Sequence, residues 1–331
     1  MIFVICLLMM VPAATAQIEV TDALGGDLLI NTFTDEEQTY PAVAMSTNGD
    51  TLFVWQSESQ DGDNAGVFGR FYNGGGTTGS AEYRVNQVTA GRQEGAAATL
   101  AWLSSDGMAL WSERFSDRGY AVYGRVMAGG PLFSEFTVST NNSERNAKGW
   151  SAISSNHHGG RLLAVWSSYG LIEEHTGIYG QYLAVGGEPI GDEFHINTNV
   201  EGWKMRTDVA MAPNGSAVVT WVSTGARGVD GIYAQRFAAD MTPAGEEMPI
   251  SLFPGYVFPD NPFLRSAVAM DKVGNFVVVW TLPADVNATS DDIYARRYFA
   301  DGTPIGPEFR VNTYLPGRQS NADVGVDSRG N

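Results

Sequence analysis

Five times along this chain an apolar run ends in tryptophan: TLFVW at Trp55, GMALW at Trp111, LLAVW at Trp166, AVVTW at Trp221 and FVVVW at Trp280. Successive tryptophans stand 56, 55, 55 and 59 residues apart. An aromatic segment follows each one: GVFGRF (66–71), YAVYGRV (120–126), GIYGQYL (177–183), GIYAQRF (231–237) and DIYARRY (292–298). A short segment comes next, as in EYRVN (82–86), EFHIN (193–197) and EFRVN (308–312). A run of small residues precedes each tryptophan run, as in AVAM (42–45), AAATL (96–100) and DVAM (208–211). Four parts in one order, repeated at this period, imply one supersecondary unit stacked on copies of itself.

The parts read as β-strands. In GIYAQRF, Ile232, Ala234 and Arg236 take one face and Tyr233, Gln235 and Phe237 the other, the period of two that a pleated strand imposes. Asn48-Gly49, Asp106-Gly107, Gly159-Gly160, Asn214-Gly215 and Gly274-Asn275 fall between the small-residue and tryptophan runs. There the first four are strong signals of tight hairpin turns. Gly is 39 of 331 residues, in keeping with many turns. The predicted fold is an all-β propeller of four-stranded antiparallel blades, in which radial repetition protects sheet edges.

The blades are placed at about 41–86, 95–139, 150–197, 207–251 and 265–312, with a truncated sixth at 321–331. The small-residue strand is set innermost, where the axis is crowded. On that phasing Leu28–Asn31 (LLIN) matches an outermost strand and is expected to close the ring, in a parent of six or seven blades. The repeat tryptophans Trp55, Trp111, Trp166, Trp221 and Trp280 are assigned to the core between blades.

Residues 1–16, MIFVICLLMMVPAATA, join a short apolar run to Ala14-Thr15-Ala16, the pattern of a secretory signal. The run is shorter than a membrane span needs. The mature chain, 17–331, is therefore expected outside the cell or at its surface, with no membrane span. The single cysteine, Cys6, lies in this leader, leaving the rest without disulfides. Lys and Arg number 20 against 37 Asp and Glu, a formal net charge of −17. Such a balance excludes a phosphate-tracking surface and hence a nucleic-acid partner.

Candidate chemistry falls on the loops that enter each blade and those that follow each tryptophan run, which vary between repeats. Trp203 stands apart from the repeat, with Lys204 and Arg206 beside it. An exposed indole with hydrogen-bonding neighbours suits a sugar, whose apolar face stacks on the ring. Tyr256 and Phe258 in the next blade's entering loop are candidates of the same kind. Packing of these aromatics within their loops is the alternative.

For a metal, Asp61, Asp63 and Asn64 in one loop and Asp291 and Asp292 in another offer hard oxygen ligands, making calcium the candidate cofactor. Solvated acidic turns are the alternative here. The four histidines do not converge on one zinc geometry. For glycoside hydrolysis, Glu94 and Asp208 sit at the start of inner strands, but no motif pairs them, and no catalytic residue is assigned.

The composite unit, VNT…PAVAM…FVVVW…GIYAQRF…DGTPIG-EF, resembles the tandem repeats of secreted and surface β-propeller proteins of bacteria. Its clearest copies are 207–251 and 265–313, and the likeness covers about residues 26–331. It is also similar in architecture to bacterial propeller lectins. The resemblance implies a secreted or surface binding and adhesion module, with a glycan or a cell-surface protein as partner. A propeller glycoside hydrolase and a structural spacer in a larger surface protein remain the alternatives.

Overall fold

A computed structural model describes residues 28–74, 79–100, 106–115, 119–140, 146–156, 160–170, 177–224, 230–252, 264–283, 290–327 and 330–331. The leader lies outside them. The described residues form five four-stranded antiparallel sheets and no helix. Blade one runs Gln38–Met45, Thr51–Glu58, Ala65–Tyr72 and Tyr83–Arg84 from inside to outside. Blade two runs Arg92–Leu100, Asp106–Phe115, Gly119–Ala128 and Phe136–Thr137. Blade three runs Asn146–Ser155, Arg161–Gly170, Gly177–Ala184 and Pro189–His195. Blade four runs Trp203–Met211, Ala217–Thr224, Gly231–Phe237 and Met248–Leu252. Blade five runs Ser266–Met270, Phe276–Pro283, Asp291–Tyr298 and Phe309–Arg310. The inner strands neighbour one another in chain order.

The inner hairpin turns repeat one hydrogen-bond pair. Ser46 N–H donates to the Asp50 carbonyl (2.9 Å) and Gly49 N–H to the Ser46 carbonyl (3.0 Å), with equivalents at Ala212–Ser216 and Asp271–Asn275. Gly49, Gly215 and Gly274 sit at φ +85°, +91° and +92°, which a side chain resists. Gly107 behaves differently from the turn expected at Asp106-Gly107, since both residues belong to the tryptophan strand. Glycine is required there because a Cβ would fall 2.1 Å from the Thr99 carbonyl oxygen.

Core lies between blades. Trp111 clusters with Leu52, Val54 and Val67 of blade one, and Trp166 with Met108, Leu110 and Val122 of blade two. Trp221 and Trp280 face blades three and four in the same way. Each of these four indoles is fully buried, and Trp55 is 5 % exposed. At the far end Ala322, Val324 and Val326 pack on Ala267, Ala269 and Val277 of blade five. No strand is formed there, but Asp327 N–H donates to the Asn331 carbonyl (3.0 Å), as Asp271 does to Asn275.

Two polar devices join consecutive blades. In the first, a glutamate in or just before an outer strand accepts hydrogen bonds from the residue three positions beyond the preceding outer strand. Glu193 takes Thr140 (N 2.7 Å, Oγ1 3.0 Å), Glu247 takes Thr198 (2.9 and 3.1 Å) and Glu135 takes the Gln87 N–H (2.5 Å). Glu82 takes Thr32 (N 2.5 Å, Oγ1 2.9 Å). In the second, an asparagine two residues beyond the outer strand pins the link to the next blade. Asn86 Oδ1 accepts the Val67 N–H (2.8 Å) while its Nδ2 donates to Gln93 Oε1 (3.1 Å). Asn312 does the same with Ile293 and Gln319, and Asn31 also donates to Gln38 (3.0 Å).

Ile30–Thr32 thus makes toward blade one the contacts that Val85–Gln87 makes toward blade two. Arg70 Nη1 donates to the Ile30 carbonyl (2.9 Å) as Arg125 Nη1 donates to Val85 (2.7 Å). No strand is formed at 28–31, and Leu28 and Leu29 are exposed.

Candidate functional site

Each of the first four inner strands carries a register shift, placed two residues before the run of small side chains. The residue there has left-handed backbone: Tyr40 (φ 48°), Gly95 (67°), Trp150 (48°) and Arg206 (56°). A bulge of this kind re-aims one side chain per blade. Because the strand resumes on the far side of the bulge, Trp203 and Lys204 pair with Thr224 and Ser223. Trp203–Arg206 is therefore sheet, not the loop that apolar periodicity suggested.

Alternation along that strand separates the neighbours. Trp203 is 52 % exposed, whereas Lys204 is buried on the opposite face. The Lys204 ammonium donates to the Glu201 carbonyl, occupying the place that Gln38, Gln93 and Gln319 hold at the other links. Burial lowers its pKa, with Glu247, Glu201 and Asp230 opposing the shift. Lys204 thus belongs to the joint between blades and not to the surface beside Trp203, a correction to the grouping drawn from sequence proximity.

Trp203 is the outer member of an aromatic chain. Its ring lies 6.0 Å from Tyr169, at the end of the blade-three tryptophan strand, and Tyr169 meets Trp150 edge-on at 5.4 Å. The Arg206 guanidinium covers Trp150, 5.5 Å from its centroid, and Nη1 donates to the Leu264 carbonyl (2.6 Å). Burial and then the charge of Arg265 lower the Arg206 pKa, opposed by Tyr169 and Tyr40. Burial pushes the Tyr169 hydroxyl well above the usual tyrosine range. The mouth of the inner strands therefore gathers Tyr40, Trp150, Tyr169, Trp203, Arg206 and Arg265.

Asp208 adjoins this group, where blades one to three carry Ala42, Ala97 and Ala152 at the equivalent register. Its Oδ2 accepts the Val268 N–H of blade five (2.8 Å). Burial, reinforced by the charge of Asp323, pushes its pKa up to about 7 against the N–H groups of Val268 and Val209 and the Arg265 charge. Glu94, the other acid of the inner strands, is instead tied to Arg92 (3.0 Å), which also grips Glu58 (2.5 Å).

The calcium candidates are engaged within the protein. Asp61 accepts from Asn86 (3.3 Å), Asp63 from Gly91 N–H (3.0 Å) and from Asn64 (2.9 Å). Asp291 is buried 3.7 Å from Arg318, and Asp292 accepts from Asn312 (2.7 Å) with Arg310 at 3.7 Å. Among the described residues no three metal-ligating side chains come together. Tyr256 and Phe258 lie outside the described residues.

Tyr40, Trp150, Tyr169 and Arg265 were not singled out from the sequence. The signal was present: in the repeat alignment Tyr40, Trp150, Arg206 and Arg265 share one column, two residues before the small-residue run. In that column blade two alone carries glycine, Gly95, and the other four carry large aromatic or cationic side chains.

No family model matches the chain, and no curated protein matches it. Among solved structures, the Hadza microbial sialidase Hz136 superposes with a TM-score of 0.51 at 11 % identity, over 84 % of this chain and 57 % of the sialidase. The chain thus spans little more than half of that protein. A subtype N10 neuraminidase-like protein of A/little yellow-shouldered bat/Guatemala/060/2010 gives a TM-score of 0.50 at 10 % identity, over 85 % of each chain. No helix among the described residues is long and apolar enough to cross a membrane. At these identities the likeness is one of fold, and with the five four-stranded sheets it establishes the chain as a β-propeller.

Proposed function

We propose that this propeller is a carbohydrate-binding module acting outside the cell or at its surface, exported by the leader 1–16. Its binding site is the mouth built by Trp203, Tyr169, Trp150 and Arg206. The carrying observation is Trp203: half-exposed, in a strand and backed by Tyr169, it is a pre-positioned platform. A ring fixed in that way stacks on a pyranose without the ordering cost of a mobile loop. The planar fork of Arg206 beside it supplies directed donors for sugar oxygens. Two of its structural neighbours are a sialidase and a neuraminidase-like protein, a likeness of fold that is in keeping with a carbohydrate ligand.

A glycan array probed with the full chain, with and without millimolar calcium, tests this. Sugar-selective binding that Trp203→Ala abolishes is the expected result. A blank array in both conditions would overturn the reading. Binding that requires calcium would move the site toward Asp61 and Asp63.

One observation favours a second reading, a glycoside hydrolase. Burial pushes the pKa of Asp208 up to about 7, and it adjoins the same mouth, which is what a general acid requires. Release of a chromogenic aglycone that Asp208→Asn abolishes would favour hydrolysis, and no turnover would dismiss it.

A further inference from the structure

One column of the aromatic strands changes its chemistry at blade three. Two residues beyond the cross-strand partner of each repeat tryptophan stand Arg70, Arg125, Gln181, Gln235 and Arg296. In blades one and two the arginine makes two kinds of bond. Its Nε donates to a carbonyl of its own blade, that of Ser80 (2.9 Å) or Phe133 (2.6 Å). Its Nη1 donates to a carbonyl of the preceding outer segment, that of Ile30 (2.9 Å) or Val85 (2.7 Å). Gln181, which is buried, keeps the first bond, from Nε2 to the Gly191 carbonyl (3.1 Å), and turns its other N–H to the Tyr182 carbonyl (2.9 Å). One amide nitrogen stands here for the three nitrogens of a guanidinium. Val138 is the counterpart of Val85, because its N–H donates to Val122 as that of Val85 donates to Val67. Blade three thus sets no guanidinium against Val138.

A cavity of about 330 Å³ opens at that place, lined by Phe136 and Val138 of blade two and by Gln181, Gly187 and Glu188 of blade three. A second change keeps it open. Gly187 (φ +96°) holds the turn position that Met241 (φ 75°) holds in blade four, each donating its N–H three residues back, to Ala184 and to Ala238. Met241 packs on the core between blades three and four, beside the other glutamine of the column. At Gly187 a Cβ would fall 2.7 Å from the Phe136 ring, so the ring stays uncovered. Glu188 lies over Gly186, with Oε2 2.6 Å from where a Cβ would stand, and forms no ion pair among the described residues.

We propose that the cavity between blades two and three receives a guanidinium from outside the chain, the arginine side chain of a peptide or protein partner. Arg70 and Arg125 show how a guanidinium is held at the corresponding place in two other blades. The entering group donates to the Val138 carbonyl, lies against the Phe136 ring and pairs with the Glu188 carboxylate. A lysine is a poorer occupant, because its compact ammonium lacks the planar fork and is more strongly hydrated. The net charge of −17 favours the approach of a cationic segment.

The test titrates acetyl-Gly-Arg-Gly-amide, its lysine counterpart and methylguanidinium into the full chain by calorimetry. The arginine peptide should bind one-to-one and at least about tenfold tighter than either of the others. Gln181→Arg supplies the guanidinium from within, so it should abolish that binding and raise the melting temperature. Glu188→Gln should weaken binding and leave the melting temperature unchanged. Binding that survives unaltered in either variant would overturn the proposal, as would equal binding of the lysine peptide or no binding of the arginine peptide. Methylguanidinium bound as tightly as the peptide would overturn the assignment to a peptide. Neither substitution touches Trp203, so glycan binding should be the same in both variants, and the two sites can fail separately.

Discussion

Adjacent residues on one strand have opposite fates here, and each fate predicts a measurable outcome. Trp203 projects outward, so Trp203→Ala should change the unfolding free energy by no more than about 0.5 kcal/mol while removing sugar binding. Lys204 points inward at a position that carries glutamine in three other links, so Lys204→Gln should leave both stability and binding intact, as urea titration and the array would show. Glu113 gives a pH signature. It is fully buried, and burial, followed by the charge of Glu135, raises its pKa to about 7 against the hydrogen bond from Gln93. The folded chain holds that proton more tightly than the unfolded one, so stability is fully present below the unfolded value and is lost as pH rises toward 7. Asp208 acts with the same sign. Urea midpoints should therefore fall between about pH 4.5 and about pH 7, and Glu113→Gln should flatten part of that fall, leaving the Asp208 share. Glu82 runs the other way. Burial raises its pKa, but hydrogen bonds from Thr32, Gln60 and Phe33 outweigh that and hold it below the usual value. Its contribution is present above the unfolded pKa and lost in acid.

At the scale of elements, the order of strands was legible in the sequence because period-two alternation and the tryptophan spacing both report burial. The inner strands were legible only in part. AVAM and DVAM show as small-residue runs, but the stretch before them pairs with the tryptophan strand across a bulge, and a bulge breaks the alternation that identifies a strand. Trp203 was read as loop for that reason. The joints between blades were harder still. Asn86 and Gln93 are seven residues apart in an irregular link, and the pairing depends on where the link folds, not on any periodicity. Asn197 illustrates what the joint contributes: it is buried, and its Oδ1 accepts the Ile178 N–H (2.6 Å) while its Nδ2 reaches the Asn199 carbonyl (2.9 Å). Asn197→Ala strands a buried N–H, and the expected loss is about 1–3 kcal/mol by denaturant unfolding. The mouth itself was half visible, through Trp203 and Arg206. Tyr169 and Trp150 come from the adjacent blade, and their contact is a product of packing.

Over the whole molecule the interface between blades is the unit of stability, and the mouth is the proposed binding site. Trp221 fills the interface of blades three and four, so Trp221→Ala should cost about 3–5 kcal/mol, far more than the loss of Trp203. The proposed binding at the mouth should then be separable from folding, because Trp203, Tyr169 and Arg206 lie outside the core clusters between blades. The direct test is a calorimetric titration of the sugar selected by the array into the native chain, Trp203→Ala and Lys204→Gln. At least about a tenfold loss of affinity, roughly 1.4 kcal/mol, is expected for Trp203→Ala and none for Lys204→Gln. Equal affinities for native and Trp203→Ala chains would contradict it.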